Sequence, residues 1–263
     1  MKNRLVFLFL LCIMGSHIRS SAADVITHLV DSEYLQEKRE IHVILPNDYD
    51  PGSDKNYEVI YITDGEWILD TFSFIYHFSE YEKFVPSAIL VGIPNIYVNG
   101  LNQRDRDFLP VHDPEFPRSG GADKFLLFVK NELIPFIDEH YATSRERSIY
   151  GHSFGGLFSF YCLLKEPQLF QTFYATDSPF RWNDEYLIKL ASKQLNGFGS
   201  EKKWWFAGRE SARKYMGADR LASLLKAKSP ENLVWGSAVY PNENHNSVKL
   251  KAIYDGIKFA NSN

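Results

Sequence analysis

The residues best suited to chemistry stand in one short stretch, Gly151-His152-Ser153-Phe154-Gly155. A serine hydroxyl is a weak nucleophile near neutral pH and attacks a carbonyl only when a base removes its proton. The pattern G-x-S-x-G is typical of a sharp turn between a strand and a helix, which lifts the serine above the edge of a sheet. A hydrophobic strand candidate precedes this stretch and a helix candidate follows it. The stretch therefore predicts a nucleophile at Ser153, and the alternative is a glycine-rich turn around a buried serine.

A base for this serine has to come from another part of the chain. His245 is the one histidine that follows Ser153, and it lies between a strand candidate and a helix candidate. A loop in that place can carry an imidazole over a nucleophile on a neighbouring strand. We therefore predict His245 as the base, with an exposed loop histidine as the alternative. His152 is too close in sequence to reach back as the base, and we expect it to line the pocket.

The base in turn needs a carboxylate that orients it. Glu210 and Asp177 both follow strand candidates, and Asp184 is a more distant third possibility. We favour Glu210 because it stands one strand before His245, as the acid does in the general chain order of nucleophile, acid and base. Asp177 is the alternative acid, and Glu210 would then be an ordinary charge at a helix start or in an ion pair.

A tetrahedral intermediate also needs hydrogen-bond donors for its oxyanion. One donor in this arrangement is the backbone N–H of the residue after the nucleophile, here Phe154. The second comes from a loop after an earlier strand. Asp64-Gly65-Glu66 ends such a strand candidate, so we predict the Glu66 amide as the second donor.

Strand and helix candidates alternate along the chain, which predicts an α/β fold with a mostly parallel sheet and helices on both faces. The patterns predict strands over residues 24–31, 40–45, 57–63, 87–93, 147–150, 172–175, 203–206 and 234–240. They predict helices over residues 66–84, 122–140, 156–165, 183–195, 214–226 and 246–260.

Residues 94–121 show no clear periodicity and contain four prolines, which predicts a long loop of functional importance. Arg104 and Arg106 lie on it, and their guanidinium groups suit a carboxylate, a catecholate or a sugar hydroxyl of a substrate. The alternative is that they pair with neighbouring aspartates and fix the loop. Trp182 is a further candidate, as an aromatic wall for a flat or sugar-like group.

Composition limits the number of domains and the kinds of partner that the chain can have. The chain has 263 residues, of which 44% are hydrophobic, with a formal net charge of −4. This predicts one large domain, and the lack of a basic patch argues against nucleic acid as a partner. Residues 1–23 are typical of a secretory signal, with Lys2 and Arg4 before an apolar run too short to span a membrane. We expect a secreted or periplasmic single domain over 24–263, with no membrane segment in its mature form.

Several motifs together resemble the putative-esterase family of α/β-hydrolases. The motifs are Tyr61-Ile62-Thr63-Asp64-Gly65, the run from Gly151 to Gly156, Ser178-Pro179 followed by Trp182-Asn183, Gly208-Arg209-Glu210, and His245. Arg104 to Pro110 also resembles a segment of the siderophore-esterase branch, although Phe108-Leu109 stands where that branch usually has Leu-Thr. The family includes trilactone siderophore esterases, feruloyl and acetyl-xylan esterases, S-formylglutathione hydrolases and mycolyltransferases.

The resemblance implies an α/β-hydrolase fold and a serine esterase that works through an acyl-enzyme, without a metal or a cofactor. With the residues above, it predicts a Ser-His-Glu catalytic triad acting on a small-molecule or carbohydrate ester. Two substrate types fit: an ester siderophore, or an acetyl or feruloyl ester of a polysaccharide. The alternatives are an acyltransferase that uses the same triad and a non-catalytic binding module on a hydrolase fold.

Overall fold

The computed structural model describes residues 24–262, so the predicted secretion signal over residues 1–23 lies outside the described residues. The strands are β1 Val25–Ser32, β2 Glu37–Ile44, β3 Tyr57–Thr63, β4 Ala88–Ile93, β5 Tyr97–Val98, β6 Leu101–Asn102, β7 Thr143–His152, β8 Thr172–Thr176, β9 Lys202–Arg209 and β10 Leu233–Tyr240. The α-helices are α1 Gly65–Tyr81, α2 Arg104–Phe108, α3 Ala122–Phe128, α4 Ile134–His140, α5 Phe154–Lys165, α6 Trp182–Gln194, α7 Arg213–Met216, α8 Ala218–Lys228 and α9 Val248–Asn261.

Eight strands form one sheet in the order β1-β2-β4-β3-β7-β8-β9-β10. Every pairing from β4 to β10 is parallel, whereas β1 and β2 join antiparallel at one edge. Parallel strands need crossover connections, and the intervening helices supply them. The predicted α/β fold with a mostly parallel sheet is therefore confirmed.

Helices cover both faces of the sheet, and the strand sequences explain why. Strand β3 is buried along almost its whole length, as a central strand of a parallel sheet has to be. Ile60 and Ile62 point to a core that α1 and α9 close, while Val59 and Tyr61 point to the opposite core with α3, α5, α6 and α8. Edge strand β1 is mostly exposed.

The segment 94–121 differs from the predicted structureless loop. It contains the β5–β6 hairpin and helix α2, and one buried and one partly exposed ion pair attach it to the sheet. Arg39 is almost fully buried and binds Asp107 at 2.7 Å. Periodicity missed this arrangement because its elements are short and it is held by pairs of residues that are distant in sequence.

Two predicted helices also differ in detail. The helix predicted over 214–226 is divided into α7 and α8 by Gly217, whose φ of 82° is readily adopted only by glycine. The helix predicted over 122–140 has the expected extent but includes a π-helical turn at Val129–Leu133 between α3 and α4. Among residues 24–262, the helices are all too short or too polar to cross a membrane.

Candidate active site

Ser153 occupies the sharp turn between β7 and α5. Its φ of 58° and ψ of −121° lie in a region that a residue with a side chain rarely adopts. Such strain persists only where the surrounding structure enforces it, and here the Ser153 amide donates a 2.8 Å hydrogen bond to the carbonyl oxygen of Thr176 on β8. The predicted strand-turn-helix geometry is present.

The glycines around Ser153 allow β7 and α5 to approach closely. A Cβ atom added to Gly151 would lie 2.0 Å from the carbonyl oxygen of Gly155, and one added to Gly156 would lie 1.9 Å from Ser178 Oγ. Neither position has room for a side chain. The glycines of the motif are therefore a steric requirement of the turn.

His245 lies in the loop between β10 and α9 and is oriented by Asp177. Its Nδ1 is 2.6 Å from Asp177 Oδ2. Asp177 directly follows β8 and is only 3% exposed. Its amide donates to the carbonyl oxygen of Ala207, and its Oδ1 accepts a 3.1 Å hydrogen bond from the amide of Arg209. The carboxylate is thus fixed by backbone contacts with β9.

The prediction that Glu210 orients His245 is wrong, because Asp177 occupies that position. Glu210 begins an exposed 3-10 turn after β9, and among the described residues no hydrogen bond or ion pair of its carboxylate is found. The physical reason is sheet order: β8 is the immediate neighbour of β7, so its carboxyl end lies nearer to Ser153 than that of β9. Glu210 was favoured because its strand is the one just before His245 along the chain. Order along the chain does not determine which strands are neighbours in the sheet.

Ser153 and His245 line the same cavity, of about 210 Å³, together with Asp64, Trp67, Ile68, Arg104, His152, Asn246 and Lys249. The rings of His152 and His245 lie 4.4 Å apart between centroids. His152 is buried, and neither of its ring nitrogens has a hydrogen-bond partner among the described residues. Burial, and then the nearby charges of His245 and Lys249, hold the pKa of His152 well below its usual value. His152 is thus a neutral imidazole with a free donor and a free acceptor.

The amides predicted for the oxyanion hole stand at the starts of two helices. Phe154 is the first residue of α5, and Glu66 is the second residue of α1. Within residues 24–262 neither amide donates to a recorded acceptor, as expected for the first turn of a helix. Asp64 and Trp67, on either side of Glu66, both line the cavity. Two N–H donors are therefore available near Ser153.

Arg104 lines the cavity, but its charge is already compensated. Its Nε and Nη2 bind the two carboxylate oxygens of Asp64 at 2.8 and 2.9 Å, and Nη2 is also 3.3 Å from the carbonyl oxygen of His152. The partner is therefore an aspartate 40 residues away rather than a neighbour on the loop. Asp64 is 1% exposed, so this fork holds the segment 94–121 against the end of β3.

Arg106 and Trp182, the other two predicted substrate-binding residues, lie outside the residues that line the cavity. Arg106 binds Glu37 through both terminal nitrogens, at 3.0 and 2.7 Å, and binds Asp107 through Nε. Trp182 begins α6 and packs against the core. Arg106 therefore fixes the segment to β2, which was the alternative interpretation of this arginine.

Sequence reasoning missed Asp64 and Lys249 as residues of the cavity. Asp64 was considered only as the end of a strand, and its αL conformation, with φ at 55°, had no visible signal. Lys249 had one: it follows His245 by four residues at the start of a predicted helix, so the same loop positions both.

Comparison with known proteins shows the family and the fold of this chain. The model of the family described as "Putative esterase" matches residues 32–236. The chain belongs to this family. In a structural comparison this esterase-family chain resembles an IroE-like serine hydrolase from Shewanella oneidensis, with a TM-score of 0.81 and 28% identity over 89% of this chain and 79% of that chain. The fold is thus that of the α/β-hydrolases.

Two curated relatives are similar over part of their length. The ferri-bacillibactin esterase BesA of Bacillus subtilis is 31% identical over 169 residues, which is 58% of this chain and 58% of that protein. The siderophore enterobactin esterase of Emericella nidulans is 26% identical over 165 residues, 56% of this chain and 54% of that protein. The matches thus span a little more than half the length of these curated relatives.

Proposed function

We propose that this protein is a serine ester hydrolase whose catalytic residues are Ser153, His245 and Asp177. The observation that carries the proposal is the 2.6 Å hydrogen bond from His245 to the buried Asp177, at a cavity that Ser153 also lines. A carboxylate on Nδ1 leaves Nε2 of the imidazole as the proton acceptor. This division of roles is what a serine nucleophile requires.

The proposed reaction has two halves. Ser153 Oγ attacks the ester carbonyl while His245 Nε2 takes the hydroxyl proton, and the carbonyl oxygen becomes an oxyanion held by the Phe154 and Glu66 amides. The carbon–oxygen bond to the alcohol then breaks, and His245 delivers its proton to the leaving alkoxide. Water, deprotonated by His245, attacks the acyl-enzyme in the same way and releases the acid and free Ser153.

Electrostatics at the cavity support this sequence of steps. Asp177 is buried, so its interaction with the imidazolium that forms during each half-reaction is weakly screened by water. His152 is neutral and therefore adds no full positive charge beside His245 when that ring takes up its proton.

For the substrate we propose an ester siderophore rather than a polysaccharide ester. Both curated relatives described above carry a siderophore in their names, and the matches span 58% and 56% of this chain. The cavity of about 210 Å³ would hold the scissile ester and its immediate surroundings, with the remainder of a large substrate outside.

The test is turnover of a neutral chromogenic ester, 4-nitrophenyl hexanoate, and of enterobactin by the purified protein and by Ser153→Ala. We expect Ser153→Ala to lower kcat at least about 10³-fold on both esters while the circular dichroism spectrum stays unchanged. Ser223→Ala is the matched control, because this exposed hydroxyl donates a hydrogen bond only to the carbonyl oxygen of Asp219 in its own helix. Activity retained in Ser153→Ala would overturn the assignment of Ser153 as the nucleophile. Turnover of acetylated xylan but not of enterobactin would overturn the proposal of a siderophore substrate.

A further inference from the structure

Most charges around the cavity are present as ion pairs. Asp64 is bound by the fork of Arg104, and Asp177 is bound by Arg209 at 3.2 Å. Each pair contributes little net charge. Neither arginine therefore offers a full positive charge to a substrate.

Lys249 is the exception. It is half-buried and lines the cavity with Ser153, and among residues 24–262 no hydrogen bond or ion pair of its ammonium group is found. Asp64 and His152 line the same cavity as Lys249. Burial lowers the pKa of Lys249, partly opposed by Asp64. The cavity thus contains one cation whose hydration is reduced and whose charge is not locally paired.

The position of Lys249 in its helix gives no reason for a lysine there. It is the second residue of α9, where the helix dipole disfavours a positive charge. Other lysines of α9 have visible structural contacts: Lys251 pairs with Glu243, and Lys258 lies over the rings of Phe84 and Tyr254. A role in stability does not account for Lys249.

We propose that Lys249 is a substrate-recognition residue that binds an anionic group, a carboxylate or a phenolate, which the ester carries near its scissile bond. The proposal rests on the proposed ester hydrolysis. A partly dehydrated ammonium gains more from an anion than an exposed one does, because the surrounding protein screens the attraction less than water. His152 lines the same cavity, and neither of its ring nitrogens has a hydrogen-bond partner among residues 24–262.

A matched pair of esters tests this. The probes are 4-nitrophenyl hexanoate and the 4-nitrophenyl monoester of adipic acid, which have the same leaving group and differ at the far end of the acyl chain, methyl against carboxylate. We expect the wild-type protein to prefer the adipate ester in kcat/KM. Lys249→Met should lower that preference about fivefold to tenfold, through KM, because the adipate ester loses more kcat/KM than the hexanoate ester does.

Two further variants distinguish the effect of a positive charge at position 249 from the effects of side-chain shape and of the net charge of the protein. Lys249→Arg keeps the charge and should retain most of the preference. Lys258→Met removes the same charge from the exposed far end of α9 and should leave the preference unchanged. Equal losses on both esters in Lys249→Met would overturn the proposal and leave Lys249 a structural residue.

The dependence of the ester preference on ionic strength can be measured on the wild-type protein alone. The wild-type preference for the adipate ester should fall as ionic strength rises from about 0.01 M to 1 M, whereas hexanoate turnover should not follow it. A wild-type preference for the neutral ester, or an adipate preference that grows as salt is added, would overturn the proposal. Turnover of neither ester would instead reject the underlying hydrolase function, so the two failures are distinguishable.

Discussion

His245 and Arg209 contact the same oxygen of Asp177, at 2.6 Å from Nδ1 and 3.2 Å from Nη1. Asp177 therefore divides its charge between the imidazole that it orients and a guanidinium that also binds the Tyr215 hydroxyl. This arrangement fixes the direction of the carboxylate. It also reduces the negative charge that the imidazolium experiences during turnover.

The identity of the acid can be tested by two isosteric changes. Asp177→Asn should lower kcat by about 10⁴-fold, because an amide on Nδ1 no longer enforces the required tautomer. Glu210→Gln should change kcat less than about twofold, since its exposed carboxylate has no recorded partner among residues 24–262. The measurement is kcat on 4-nitrophenyl hexanoate with folding checked by circular dichroism. A large loss in Glu210→Gln with activity kept in Asp177→Asn would reverse the assignment.

The shared oxygen predicts an effect on the pH–rate profile. Arg209→Gln removes a cation beside Asp177, so the carboxylate should stabilise protonated His245 more strongly. Protonated His245 cannot act as the base, and the acid limb of kcat/KM should therefore move to higher pH. Arg213→Gln, at an exposed arginine paired with Asp219, is the control. An acid limb that stays in place or moves to lower pH would contradict this account of Arg209.

The Asp64–Arg104 fork predicts a loss of stability. Arg104→Met leaves the carboxylate of Asp64, which is 1% exposed, without its cation, and should lower the free energy of unfolding by about 3 kcal/mol. The double change Asp64→Asn with Arg104→Met should be less destabilising, because no buried charge remains. Arg213→Met breaks an exposed pair and should cost less than about 1 kcal/mol. Urea unfolding gives all three values, and an equal loss in the single and double variants would contradict the prediction.

Burial of His152 predicts a dependence of stability on pH. The folded state holds this ring neutral, with a pKa lowered from 6.5 first by burial and then by the charge of His245, whereas the unfolded ring titrates normally. Stability is therefore complete above the unfolded pKa and falls as protons bind the unfolded chain below it. This one ring should remove roughly 1 kcal/mol from the free energy of unfolding between pH 7.5 and 5.5.

The measurement for this prediction is urea unfolding at both pH values in the wild type and in His152→Gln. Because Gln does not titrate, the variant should lose roughly 1 kcal/mol less than the wild type over this interval. His28→Gln tests a second histidine, whose pKa is also lowered, first by burial, and should show a smaller difference because that ring is more exposed. Identical pH dependence in His152→Gln and the wild type would show that this ring titrates in the folded protein as it does in the unfolded chain, and would contradict the prediction.

The sequence predicted the central strands and the turn at Ser153 well, because both depend on local signals. Continuous apolar runs such as β3 and β4 are typical of buried parallel strands, and the glycines around Ser153 are required by a close backbone approach. His245 was found by elimination. These features need no knowledge of which strands are neighbours.

The features that the sequence did not predict depend on neighbours in space. The choice between Asp177 and Glu210 is decided by β8 lying beside β7, and the partner of Arg104 is decided by the approach of α2 to the end of β3. Arg106 was a candidate for the substrate with ion pairing as the alternative, and its main partner, Glu37, lies 69 residues away, where nothing in the sequence indicated it. Ion pairs between residues so far apart in the sequence produce no periodicity or spacing from which they could be predicted.

The register of the central strands also connects activity with folding. Ser153 donates its amide hydrogen bond to Thr176 at the end of β8, and the next residue, Asp177, donates its own to Ala207 in β9. Ser153 and Asp177 are therefore placed by two adjoining hydrogen-bond ladders, β7 with β8 and β8 with β9, and a slip of one residue in either pairing would displace one of them from His245. Recovery of the proposed ester turnover during refolding would accordingly time the correct alignment of β7, β8 and β9, so that activity would report on assembly of the sheet.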